Sequence, residues 1–126
     1  MQIDDNSIDF TIQQKTLEKS GISKVIYNHR SAFSALESLE NLFKLSSYQE
    51  KEIVPEYILL DLDMPLMDGF QFMSEFEKLD YPNKERIKII LLTASINKQD
   101  KEFPKKFKNF HSFINKPLTL EKLKDL

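Results

Sequence analysis

Cysteine and tryptophan are absent from this chain of 126 residues, and glycine occurs only at Gly21 and Gly69. Without cysteine there are no disulfides, no thiolate nucleophiles and no cysteine-ligated zinc. Two glycines leave few positions where the backbone adopts positive φ cheaply, which argues against a turn-rich all-β fold and against a glycine-rich phosphate loop. Continuous apolar runs are short, as at residues 89–92, whereas a membrane-spanning helix needs roughly 20 residues. The first five residues, Met1 to Asp5, lack the basic and apolar regions of a secretory signal. A net charge of −2 gives nucleic acid nothing to adhere to in bulk. The expectation is a cytoplasmic protein without direct nucleic-acid or membrane contact.

The chain does contain enough bulk for a core: 40% of residues are hydrophobic, ten of them phenylalanine. Its length fits one domain. Short β-type runs alternate with helical spacing, as expected of βα units around a parallel sheet. A stub at residues 1–3 precedes Asp4 and Asp5; only three residues stand before the acid pair, so the first strand is expected to be trimmed. Ile8, Ile12 and Leu17, with Phe10 nearby, mark a helix that stops at Ser20 and Gly21. Residues 24–27 read as a second strand. Ser31 then caps a helix whose stripe is Phe33, Leu36, Leu39, Leu42 and Phe43. The polar stretch 46–56 reads as a surface connection. Residues 57–60 form an apolar run ending in acid, the mark of a central parallel strand. Asp68 caps a third helix with Phe70, Met73, Phe76 and Leu79 at spacings of three. Residues 87–92 form the next strand, ending at Thr93. A short helix at residues 100–107 is weakened by Pro104. The last strand covers residues 110–114, and Thr119 caps a terminal helix. The total is five strands and about five helices.

Ligands of such sheets sit beyond the carboxyl ends of the strands. Asp5, Asp61, Thr93 and Lys116 each fall at such an end, with Asp4 adjacent. Clustered carboxylates raise each other's pKa unless a cation intervenes. Mg²⁺ suits the task, since it takes one or two carboxylates together with water and phosphate oxygens. Adding a lysine to neutralise phosphoryl charge and a threonine hydroxyl as donor yields a site for phosphoryl transfer to a carboxylate.

Four segments then resemble the response-regulator receiver domains of two-component signalling (the CheY-like superfamily). They are Ile3-Asp4-Asp5-Asn6, the run Leu59-Leu60-Asp61-Leu62-Asp63-Met64-Pro65 onward to Asp68-Gly69, Leu91-Leu92-Thr93-Ala94-Ser95, and Phe113-Ile114-Asn115-Lys116-Pro117-Leu118. The resemblance covers essentially the whole chain, residues 1–126, as a single receiver domain. It implies a doubly wound, flavodoxin-like sheet of order 2-1-3-4-5. Asp61 would be the phosphoacceptor and Asp5 a direct Mg²⁺ ligand, with Asp4 nearby and Asp63 offering its backbone carbonyl. Thr93 and Lys116 would hold the phosphoryl group, and Pro117 would follow a cis bond. Thr93 and Phe113 would act as the switch that repacks a face made by the fourth helix, fifth strand and fifth helix. The donor would be a histidine kinase or phosphotransfer protein in a phosphorelay, the output a protein contact, and the protein a monomer or weak dimer. It would be a stoichiometric acceptor rather than a turnover enzyme.

Two other classes fit some of these residues. Asp61-Leu62-Asp63 resembles the acid pair of haloacid-dehalogenase phosphohydrolases, although that pair normally lies near the N-terminus and leaves Asp4-Asp5 unexplained. A pseudo-receiver would bind partners without being phosphorylated. The lysines at 98, 101, 105, 106 and 108 read as a solvated face, with a docking patch for an acidic partner as the alternative. His29 and His111 lack ligand spacing.

Overall fold

The computed structural model describes residues 1–23, 25–46, 53–94 and 101–126. In chain order the elements are β1 (Gln2–Ile3), α1 (Ser7–Ser20), β2 (Asn28–His29), α2 (Ala32–Ser46), β3 (Tyr57–Asp61), α3 (Gly69–Glu77), β4 (Lys88–Thr93), β5 (Phe110–Asn115) and α4 (Leu120–Lys124). Single 3-10 turns cover Lys84–Arg86 and Phe103–Lys106. The strands form one parallel sheet in the order β2-β1-β3-β4-β5, the doubly wound order expected. Among the described residues no helix is long and apolar enough to cross a membrane.

Period-two alternation divides the sheet into two apolar faces. Ile58, Leu60, Ile89 and Leu91 face α2 and α3, meeting Ala35, Leu39, Phe72 and Phe76. Leu59, Ile90, Leu92 and Ile114 face the other way, towards Leu17 of α1 and Leu123 of α4. A strand buried on both sides must be apolar throughout, which is why β3 and β4 read as continuous hydrophobic runs. In β5, Ile89 pairs with Phe110 but Ile90 pairs with Ser112, so His111 is an extra residue. That bulge resets the alternation. Phe110 and Phe113, three apart, therefore lie on the same face and meet edge to face at 5.2 Å.

The helix ends follow ordinary capping chemistry. Asn6 accepts from the amides of Ile8 and Asp9, and Gly21 closes α1 at φ 64°, a conformation cheap only for glycine. Asp68 and Gln71 form a reciprocal capping box at α3. Thr119 caps α4. Gly69 is required for a different reason: a Cβ there would lie 2.9 Å from Leu62 Cα and 3.1 Å from the Asp61 carbonyl oxygen. The first turn of α3 thus packs directly on the chain leaving β3.

Three expectations are corrected. The second strand is not at residues 24–27. Gln2 donates to the Tyr27 carbonyl at 2.8 Å and pairs with Asn28, so the register of its neighbour sets β2 at Asn28–His29; residue 24 lies outside the described residues. Phe33 is 55% exposed, and the stripe of α2 is instead Ala32, Ala35, Leu39 and Phe43. The two alanines carry no bulk there and let the helix approach the sheet closely. On α1, Ile8 and Ile12 are exposed while Gln13 and Leu17 are buried. Of the helix expected near residues 100–107, Lys101 and Glu102 are α-helical, and the chain then tightens into the 3-10 turn Phe103–Lys106 with Pro104 in its first positions. The connection expected at 46–56 lies partly outside the described residues.

These burials separate two phenylalanines that look alike in sequence. Phe72, with no exposed surface, should lose about 3–5 kcal/mol on substitution by alanine. Phe33→Ala should stay within about 0.5 kcal/mol. Urea unfolding of both variants measures this, and equal losses would contradict the packing described.

Candidate functional site

The carboxyl ends of β1, β3, β4 and β5 converge on one rim. Asp4 and Asp5 follow β1 directly, Asp61 ends β3, Thr93 ends β4, and Lys116 follows β5. Backbone bonds hold these ends together: Leu62 N–H donates to the Leu92 carbonyl at 2.9 Å and Lys116 N–H to the Thr93 carbonyl at 2.8 Å. The Lys116–Pro117 peptide is cis. Asp4, Asp61 and Thr93 are buried, and Asp5 is partly exposed.

At the centre stands the Lys116 ammonium. Its Nζ lies 2.9 Å from Asp4 Oδ2, 3.0 Å from Asp9 Oδ2 and 3.1 Å from Asp61 Oδ1. Asp4 is further held by the Asn6 amide, which donates to Oδ1 at 2.9 Å, and by Gln13 Nε2, which donates to Oδ2 at 2.9 Å. The Asp63 amide donates to Asp61 Oδ1 at 3.2 Å. Single carboxylate oxygens of Asp4, Asp5 and Asp61 all lie within 4.8 Å of one another.

Burial, followed by the charge of Asp4, pushes the Asp61 carboxyl up to about 7 against the opposing pull of Lys116. Burial draws Lys116 down, but hydrogen bonds to Asp4 and Asp9 and the charges of Asp4 and Asp61 outweigh it and leave the lysine above its usual value. The rim therefore holds more acid than one lysine balances. Three hard oxygen donors at this spacing are the donor set of a small divalent cation, so the residues fit Mg²⁺.

Every residue singled out from sequence at the strand ends is brought to the rim. The carboxylate of Asp63 stands outside the Asp4, Asp5 and Asp61 trio and its residue is exposed. Phe113 is half-buried beside Phe110. Sequence reasoning missed three participants: Asp9, Gln13 and Arg30. Asp9, Gln13 and Leu17 are spaced by four and share one face of α1, so a single stripe addresses Lys116, then Asp4, then the core. Reading the polar residues along with the apolar ones at that spacing would have found it. Arg30 donates from Nε to the Asp4 carbonyl at 3.2 Å and from Nη2 to the Asp5 carbonyl at 2.8 Å and to Ser7 Oγ at 3.1 Å. Its guanidinium lies 5.0 Å from the centre of the Phe10 ring. It clamps the acid-bearing loop through backbone, a role with no sequence signature.

The family model for the response regulator receiver domain matches residues 1–126. The chain belongs to this family. The receiver domain is 34% identical over 101 residues to the sensor histidine kinase CheAY of Helicobacter pylori, covering 80% of this chain and 11% of that protein. It is 31% identical over 123 residues to two-component response regulator 24 of Arabidopsis thaliana, covering 96% of this chain and 75% of that one. It spans 63% of the response regulator Rcp1 of Synechocystis, at 29% identity over 78% of this chain. In fold it is similar to a two-component response regulator from Cytophaga hutchinsonii, with a TM-score of 0.85 and 22% identity over 98% of this chain and 89% of that one. The haloacid-dehalogenase alternative gives way to this membership.

The raised pKa of Asp61 has a sign that can be tested on the metal-free receiver domain. An acid whose folded pKa lies near 7, against about 4 when unfolded, is protonated in both states below about 4. Its ionisation then destabilises the fold progressively as pH rises towards 7. Asp61→Asn should therefore be more stable than wild type at pH 8 in EDTA, by roughly 1–3 kcal/mol. The gap should close as pH falls to about 4. Denaturant unfolding across this range checks it; a gap that widens on acidification would refute the assignment.

Proposed function

We propose that this receiver domain is a phosphorylation-dependent switch in which Asp61 accepts a phosphoryl group from a histidine kinase or phosphotransfer protein. The observation that carries this reading is the placement of the Asp61 carboxylate. It is buried at the end of a central strand, 3.1 Å from Lys116, with the oxygens of Asp4 and Asp5 within 4.8 Å. In the reaction a carboxylate oxygen of Asp61 bonds to phosphorus as the P–N bond to the donor histidine breaks. The electron pair stays on the imidazole nitrogen, which takes up a proton.

Asp5 and Asp61 would hold Mg²⁺ directly, with Asp4 close by and the Asp63 carbonyl as a further ligand. The ion, when bound, neutralises charge on the phosphoryl oxygens. A structure of similar fold, the receiver domain of the Arabidopsis histidine kinase CKI1, is described as complexed with Mg²⁺. Lys116 pairs with a phosphoryl oxygen, and the Thr93 hydroxyl, at the next strand end, donates to another. The relatives that are histidine kinases support a kinase or phosphotransfer partner, and a cytoplasmic location goes with that reading. Modification adds roughly −1.5 to −2 charges. Thr93 then moves towards them and Phe113 turns inward, repacking the face around β5 that a downstream protein reads. Phe113 lacks a hydroxyl, so its contribution to the switch is packing alone.

Incubation with acetyl phosphate and Mg²⁺, followed by intact mass, tests the reading. One added phosphoryl group is expected, labile to hydroxylamine, and lost in Asp61→Asn and in EDTA. An adduct of equal extent on Asp61→Asn would move the acceptor elsewhere. No adduct on wild type would leave a partner-binding module.

A further inference from the structure

Lys116 has three ammonium hydrogens, and three carboxylate oxygens stand within 3.1 Å of its nitrogen: Asp4, Asp9 and Asp61. The contact with Asp9 also has hydrogen-bond geometry. Three anions crowded around one ammonium compete with an incoming phosphoryl oxygen for its hydrogens, so one partner gives way when the lysine binds the phosphoryl group. We propose that Asp9 is that partner: a positioning residue on α1 that holds Lys116 in the unmodified protein and releases it to the phosphoryl group. This inference rests on the reading of Asp61 as the acceptor.

The three carboxylates differ in what release would cost. Asp4 has no exposed surface, and removing a cation from a buried carboxylate is strongly unfavourable. It is also fixed by the Asn6 amide and Gln13 Nε2. Asp61 is the reacting group itself, and its neighbourhood is where the lysine must remain. The Asp9 side chain is 34% exposed, so once released its carboxylate is taken up by water at little cost. Position on the helix reinforces the distinction. Gln13 and Asp9 stand one turn apart on one face, the first a buried tether to Asp4 and the second a tether open to solvent. The amide of Asp9 is held by the Asn6 cap, so its backbone stays in place while its side chain lets go. Asp9 thus slows phosphorylation by keeping Lys116 engaged, and offers the lysine a partner again when the phosphoryl group leaves.

The test compares initial rates of labelling by acetyl phosphate with Mg²⁺ in wild type, Asp9→Asn, Lys116→Met and the double variant. Because an ion pair with one partner open to solvent is worth a fraction of a kcal/mol to about one, Asp9→Asn should label roughly two- to fivefold faster. The gain should vanish in the Lys116→Met background, since Asp9 acts through that lysine. Asp9→Asn labelling no faster than wild type would overturn the proposal. So would an equal gain without Lys116, which would assign the effect to repulsion between Asp9 and the anionic donor. Urea unfolding of the same four proteins reads the contact even where Lys116→Met labels too slowly to time: non-additive losses support the pair, and strictly additive ones overturn it. Failure of the acceptor reading is separately visible, as absence of label on wild type.

Discussion

One lysine shared among buried acids is the interaction on which the rim depends. Asp4 and Asp61 are delivered by adjacent strands β1 and β3, whereas Lys116 comes from β5. To reach them the lysine must cross the end of β4, and the bond from its amide to the Thr93 carbonyl places Thr93 beneath that crossing. A single electrostatic requirement, a cation for carboxylates that cannot be left buried alone, thereby gathers four strand ends. It also leaves the rim with surplus negative charge. Burial first, and then that surplus, raises the Asp61 pKa; the surplus also suits a divalent cation and makes the competition among acids for Lys116 consequential.

The rest of the fold is arranged so that this rim has little freedom. Gly69 lets α3 press on the chain immediately after Asp61, and the capping box at Asp68 starts the helix there. Arg30 grips the carbonyls of Asp4 and Asp5 from the end of β2. On the opposite side of the sheet α1 supplies Gln13 and Asp9 from the same face that buries Leu17. Among the described residues the bulge at His111 is the one irregularity in the ladders. It aligns Phe110 and Phe113 on the face shared with α2 and α3, so the aromatic nearest Lys116 on that face sits among apolar neighbours.

Much of this was readable from residue order, and the failures have a common cause. β3 and β4 are continuous apolar runs because parallel strands are buried on both faces, and their ends are marked by the polar residue that follows. The acid pair, Asp61, Thr93 and the Lys-Pro step all stand at such ends. The misread features lay where hydrophobicity and burial part company. Ile8, Ile12 and Phe33 are apolar yet exposed, while Gln13 is polar yet buried. In α1 aliphatic residues alone do not mark the inner face, because that face meets a charged rim as well as a core. The apolar residues 25–27 precede the second strand rather than form it, because pairing is decided by where the neighbouring strand runs.

The sequence by itself determined the alternation of strands and helices, hence a parallel sheet, and the residue types available at the ends of its strands. Those properties are local, because period, capping and chain direction are written within a few residues of each element. Only the tertiary structure decided which acids share Lys116, that Asp9 is one of them, that Gln13 and Arg30 support the acid pair, and on which side of the sheet Phe113 lies. These are outcomes of register and helix rotation, which depend on contacts between residues as far apart as Asp9 and Lys116 and are fixed only when the whole sheet closes around its two faces.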